Sequence, residues 1–173
     1  MPNSTASSTP PSTPSRSAKP AIPDPADPAA APITMGDAIT DGLEVYRELL
    51  DKSNKPVTTT QLGEVITVRL RIRSLRPESI TNVALVDLLP GGFEVVSSSL
   101  SPGISEINGV DYVEVREDRA VFYATVPSET LEITYQIKSC NRGNFVVPPV
   151  FAESMYDRNL KARGLGGKIS VTK

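Results

Sequence analysis

The run EVITVRLRIRSL, residues 64–75, constrains the fold more than any other stretch of the chain. Ile66, Val68, Leu70 and Ile72 fall on one side of an extended backbone, and Thr67, Arg69, Arg71 and Arg73 on the other. Apolar residues repeating with a period of two mark a β-strand buried on one side only. A one-sided strand belongs to an antiparallel sheet with one wet face, which excludes a helical bundle and a parallel, doubly covered sheet.

The same alternation returns in LEITYQIKSC, with Leu131, Ile133, Tyr135 and Ile137 inward and Glu132, Thr134, Gln136 and Lys138 outward. Other extended runs are ITNVALVDLL closed by PGG, then FEVVSSSL, DYVEVREDRAVFYATV split by its charged turn, and KISV at the end. GLEVYRELL is compatible with a strand or a helical turn, because Leu43, Val45 and Leu49 alternate but Leu50 breaks the rhythm. FVVPPVFAESMY is apolar, but Pro148 and Pro149 argue against a central ladder strand. The whole is about seven or eight short strands separated by turn residues, which predicts an all-β fold, an antiparallel two-sheet sandwich of fibronectin or immunoglobulin type. No tryptophan is present and aromatics make up only 5%, so the core is expected to be aliphatic.

Residues 1–38 differ in kind. They are rich in Pro, Ser, Thr and Ala and hold more than half of the chain's 16 prolines. Such a segment has too little apolar mass to offset its ordering entropy, so a disordered tail is expected there and a sandwich domain over residues 39–173. The first residues contain no hydrophobic core segment of the kind a secretory signal needs. No apolar run approaches the roughly 20 residues needed to cross a bilayer as a helix.

Composition narrows the chemistry. The chain has no histidine and one cysteine, Cys140. That removes the commonest general base and metal ligand, and any internal disulfide. A formal net charge of −2 gives no basic face for nucleic acid. The row Arg69, Arg71 and Arg73 offers an anion site on one reading and a solvated, ion-paired face on the other, with Glu132 and neighbouring acids available across the sheet. Glu114, Glu117, Asp118 and Arg119 alternate acid with base, as a charged hairpin turn does and a calcium loop does not. Cys140, in SCNRG, has no base beside it and reads as an inert thiol. GLGG, residues 164–167, lacks the strand–helix context and the lysine of a phosphate loop. The expectation is a non-enzyme without metal or cofactor.

The segment FAESMYDRNLKARGLGG, residues 151–167, reads as a long loop between the proline pair and the last strand. It exposes a flexible thioether, Met155, beside an aromatic with a polar handle, Tyr156. Such a pair suits a contact surface, or folds onto its own sandwich edge.

Several stretches in order resemble one family: TDGLEVYRELLDKSNKPV, LGEVITVRLRIRS, NVALVDLLPGGFEVV, EVREDRAVFYATV and GNFVVPPVFAESMYDRNLKARGLGGKISV. Together they resemble the C-terminal macroglobulin-like domain of bacterial alpha-2-macroglobulins. The resemblance implies a fibronectin-like sandwich in a large, multi-domain periplasmic protein that traps proteases after bait-region cleavage, covalently where a thioester is present. It implies partners among the other macroglobulin and thioester-type domains, and proteases indirectly. In thioester-bearing members the segment matching Met155 and Tyr156 lies over the reactive bond. The candidate contact residues are therefore Phe151, Glu153, Met155, Tyr156 and Asp157. The chain departs from the family in carrying no thioester cysteine–glutamine motif and no bait region, and in having Asp157-Arg158 where proline often follows. A split-gene product or a detached module is the expectation. The stretch ITVRLRIRS to NVALVDLLPGGFEVV also resembles bacterial adhesin-like surface repeats, which is the alternative reading.

Overall fold

The strands seen in the sequence become a two-layer all-β sandwich in a computed structural model, which describes residues 36–100 and 109–173. Every described residue belongs to one compact unit, Thr34–Lys173. The expected tail, apart from its last three residues, and most of the expected loop from residue 101 to 110 lie outside the described residues.

Six strands form one sheet in the order β1 (Ile39–Asp41), β12 (Lys161–Arg163), β11 (Phe151–Ser154), β5 (Ile80–Leu88), β8 (Arg119–Val126) and β7 (Val110–Val115). The second layer holds β2 (Leu43–Leu50), β4 (Val65–Ser74), β9 (Leu131–Ser139) and β6 (Phe93–Val95). A third sheet joins β10 (Gly143–Val147), β13 (Gly167–Thr172) and β3 (Thr59–Gln61). Among the described residues, every strand pairing is antiparallel except β13 with β3, and a parallel bridge joins Gly42 to Lys161.

The register follows from the alternation. β4 pairs β9 with Ile66 opposite Ile137, Val68 opposite Tyr135, Leu70 opposite Ile133 and Ile72 opposite Leu131. All eight are buried. A one-residue slip of either strand would turn its four core side chains to water, and each buried aliphatic side chain is worth about 1.5–3 kcal/mol, so this register is strongly selected. The facing layer contributes Val83, Leu85, Phe122, Ala124, Ala152 and Ala162 to the same core cluster. Phe122 and Tyr135 meet across the layers with ring centroids 5.7 Å apart.

GLEVYRELL is the strand β2, paired with β4 along its whole length. Leu50 is buried although it breaks the alternation, because the chain turns back there and Leu50 bridges to Pro56. The proline pair is where the sequence-based reading needs correction. Pro148 and Pro149 lie between β10 and β11, in the passage from one sheet to another, so their missing N–H groups cost no ladder bond. β11 starts two residues later and is a central strand, paired with β12 on one side and β5 on the other. Residues 151–167 are therefore a β-hairpin followed by a glycine connector rather than a long loop. Gly164 in that connector is buried, and a Cβ there would stand 2.8 Å from Val150 Cγ1, so the close approach requires glycine.

Candidate functional site

The hairpin β11–β12 carries all five candidate contact residues, and strand geometry sorts them. Side chains alternate across a strand. Ala152 and Ser154 point inward and are buried; Phe151 and Glu153 point off the outer face of the six-stranded sheet. Met155 continues the outward phase just beyond the strand, where its N–H donates to the Asn82 carbonyl at 2.9 Å. It is 56% exposed, and Tyr156 at the tip is 81% exposed. Asp157 is set apart. Its Oδ1 accepts from Asn159 N at 3.0 Å and from Asn159 Nδ2 at 3.1 Å, and its own N–H donates to Ser154 Oγ at 3.3 Å. This is an Asx-type turn, so Asp157 shapes the tip that presents Met155 and Tyr156.

The register places Phe151 and Glu153 in two cross-strand rows. One runs Arg163, Phe151, Val86, Val121, Glu114. The other runs Lys161, Glu153, Ala84, Tyr123, Tyr112. The centre of this outer face is apolar, with Phe151, Val86, Tyr123 and Leu88 half-buried and Tyr112 62% exposed. Tyr112 and Tyr123 lean on one another with centroids 5.9 Å apart. Val86, Val121, Tyr112 and Tyr123 were not among the sequence candidates. Their signal was present: NVALVDLL and RAVFYATV are apolar in both phases, the mark of strands covered on both faces.

The opposite outer face has the other character. Arg69 Nε donates to Glu48 at 2.9 Å, Arg71 Nε to Glu132 at 2.9 Å and Arg73 Nε to Glu44 at 2.6 Å. The arginine row is thus an ion-paired face, with Glu132 reaching across the sheet as expected. The charged hairpin also forms: Arg116 N donates to the Arg119 carbonyl at 2.9 Å in the turn between β7 and β8. Cys140 is half-buried, and burial pushes its thiol above the ordinary value, which disfavours the nucleophilic thiolate.

Between the layers lies a polar cluster that the alternation conceals. Arg47 on β2 and Asp87 on β5 sit in inward phases and form an ion pair with side chains 4% and 2% exposed. Tyr135 Oη donates to Asp87 Oδ2 at 2.7 Å, and Arg47 Nη2 donates to the Pro148 carbonyl. Burial pushes the Asp87 carboxyl above its ordinary value, while Arg47 and the Tyr135 hydroxyl pull it back. Tyr135 is held well above the ordinary phenol value by burial and by the neighbouring Asp87 charge. The cluster ties both layers to the β10–β11 crossover.

The fold is an all-β sandwich of macroglobulin type, with one apolar and one ion-paired outer face. The family model "Bacterial Alpha-2-macroglobulin MG10 domain" matches residues 42–159, and the chain belongs to that family. An alpha-2-macroglobulin homolog from Yersinia pestis is 40% identical over 153 residues, covering 75% of this chain and 8% of the relative. The native conformation of Escherichia coli alpha-2-macroglobulin superposes with a TM-score of 0.74 at 21% identity, over 83% of this chain and 10% of that one. The E. coli protein activated by porcine elastase superposes with a TM-score of 0.68 at 22% identity, over 79% of this chain and 14% of that one. At those identities the superpositions establish the fold. The family match favours the macroglobulin resemblance over the adhesin-like one. The chain spans less than a tenth of the Yersinia relative's length.

Proposed function

We propose that this chain is a non-enzymatic docking module of a bacterial alpha-2-macroglobulin, folded from about residue 39 onward, and that it contributes to a protease-trapping inhibitor of the periplasm. It packs against another macroglobulin or thioester-type domain through the outer face of β11 and the hairpin tip. Phe151, Glu153, Met155 and Tyr156 make the contact, and Asp157 holds the tip in shape. One observation carries this reading: β5 and β8 are apolar on the outer face as well as the inner one. Phe151 and Met155 extend that apolar strip to the end of the hairpin. Burying such a strip gains about 25 cal/mol per Å² of apolar surface, whereas leaving it wet gains nothing. The activation of the E. coli relative by porcine elastase supports the link to proteases. Proteases are reached indirectly, through the assembled protein.

The test is binding in trans to the remaining macroglobulin domains of such a protein. The double variant Met155→Asp, Tyr156→Ser should lose binding while keeping the parent melting temperature. Unchanged binding would refute docking through the tip.

A further inference from the structure

A groove lies where the β1–β12 edge of the six-stranded sheet meets β2 and β4. Its floor is the outward side of β2 and β4, with Glu44, Tyr46, Arg71 and Arg73. Its far wall is Arg163 at the end of β12 and the connector residues Gly164 and Leu165. The space is about 400 Å³, within the range of small-ligand and peptide side-chain sites. Two large apolar side chains flank it exposed, Tyr46 at 53% and Leu165 at 67%. Nothing in the fold accounts for leaving both in water at one cleft.

The charges are arranged unevenly. Arg73 is paired with Glu44, and Arg71 with Glu132 and, at 3.6 Å, Glu48. Arg163 differs. Its Nε and Nη2 donate to the Asp37 carbonyl at 3.1 and 2.7 Å, and no carboxylate partners it among the described residues. One cation on β12 is therefore held in place beside this ion-paired set without a carboxylate partner among the described residues. Interleaved glutamates repel a polyanion such as nucleic acid or an anionic membrane, but they leave room for one isolated carboxylate.

We propose that this groove is a second docking site, which takes an extended polypeptide segment bearing a single carboxylate between apolar residues. The carboxylate lies on the free edge of the Arg163 guanidinium, a charge-assisted contact that a fixed arginine makes at low entropic cost. The apolar neighbours pack on Tyr46 and Leu165. The site is independent of the hairpin tip and does not rest on its role.

The experiment titrates the whole chain with a capped pentapeptide, leucine–valine–aspartate–valine–leucine, followed by amide NMR shifts. Matched peptides carry asparagine or lysine at the centre. Shifts should centre on Tyr46, Arg163 and Leu165. Affinity should fall at least tenfold for the asparagine and lysine peptides and for Arg163→Gln, and Leu165→Ser should weaken all three. Arg163→Lys, which keeps the charge, should retain part of the binding; this separates the charge from the fixing of Asp37. The variant Met155→Asp, Tyr156→Ser should bind as the parent does. Equal affinity for the aspartate and asparagine peptides would overturn the proposal. So would shifts centred on the β11–β12 tip, or no shift at millimolar peptide.

Discussion

The buried pair Arg47–Asp87 gives an asymmetric prediction, because its two members fail differently when left alone. Their side chains are 4% and 2% exposed. Asp87→Asn keeps a partner for the Tyr135 hydroxyl but strands the Arg47 guanidinium, which cannot shed its proton. Stranding one charge of a buried pair costs about 3–5 kcal/mol. Against a domain stability of about 5–15 kcal/mol that is severe, and it should lower the urea midpoint by about 1.5–2.5 M. Arg47→Met strands Asp87 instead, and a carboxyl can escape by taking up a proton. Burial already raises the Asp87 carboxyl in the fold, and Arg47 is the strongest influence lowering it. Without Arg47 the carboxyl rises further. A group raised on folding stabilises fully below its unfolded value, about 3.9, and loses that contribution as pH rises, at up to about 1.4 kcal/mol per pH unit. The deficit of Arg47→Met relative to the parent should therefore be small at pH 4 and grow towards pH 8. The deficit of Asp87→Asn should not widen over that range. The double variant Arg47→Met, Asp87→Leu should recover much of what either single change loses. Urea unfolding followed by circular dichroism at four pH values tests all three. An Arg47→Met deficit equal at pH 4 and pH 8, or a double variant no better than the singles, would refute the reasoning.

Asp157→Ala removes the acceptor for two Asn159 donors, at 3.0 and 3.1 Å. It should cost about 1 kcal/mol in urea unfolding and broaden the NMR signals of Met155 and Tyr156. Gly164→Ala adds a methyl 2.8 Å from Val150 Cγ1, inside a packed connector. It should destabilise by about 1–3 kcal/mol, read as a lower melting temperature. Tyr123→Ser on the apolar outer face should weaken docking to the other macroglobulin domains, whereas Glu132→Gln on the ion-paired face should not. Binding in trans distinguishes the two.

The sandwich was legible because two strands, β4 and β9, alternate without a fault, and alternation leaves one arrangement that hides every apolar residue. The hairpin β11–β12 was not legible as strands. Phe151–Ser154 is four residues long with a glutamate inside it, and β12 is only Lys161–Arg163, too short to show a period. Their pairing is set by β5, which lies some 70 positions earlier in the chain and offers a central ladder site. Local sequence presents the prolines as the end of a strand. In three dimensions they mark a change of sheet, which local sequence does not distinguish from an end. Met155 and Tyr156 stood out by residue type alone. That Phe151, Glu153 and Met155 share a face needed only the period of two, once the strand was known. Arg47 and Asp87 were hidden by the same period, since reading alternation for apolar residues passes over a charge in the inward phase.

The two outer faces then separate structure from function more sharply than any single residue does. On β4 and β9 the outward phase is Thr67, Arg69, Arg71, Arg73, Glu132, Thr134, Gln136 and Lys138, and its arginines and Glu132 are ion-paired inside this chain. On β5, β8 and β11 the outward phase is Val86, Leu88, Val121, Tyr123 and Phe151. Val121 is buried and the other four are half-buried, and their neighbours in the rows are tyrosine and charge rather than a polar carpet. A sheet buried on one side alone has no physical need for apolar residues in the outward phase. The unequal faces therefore favour a domain that is only part of its own packing unit, with its free apolar side and the Met155–Tyr156 tip turned towards the same neighbour.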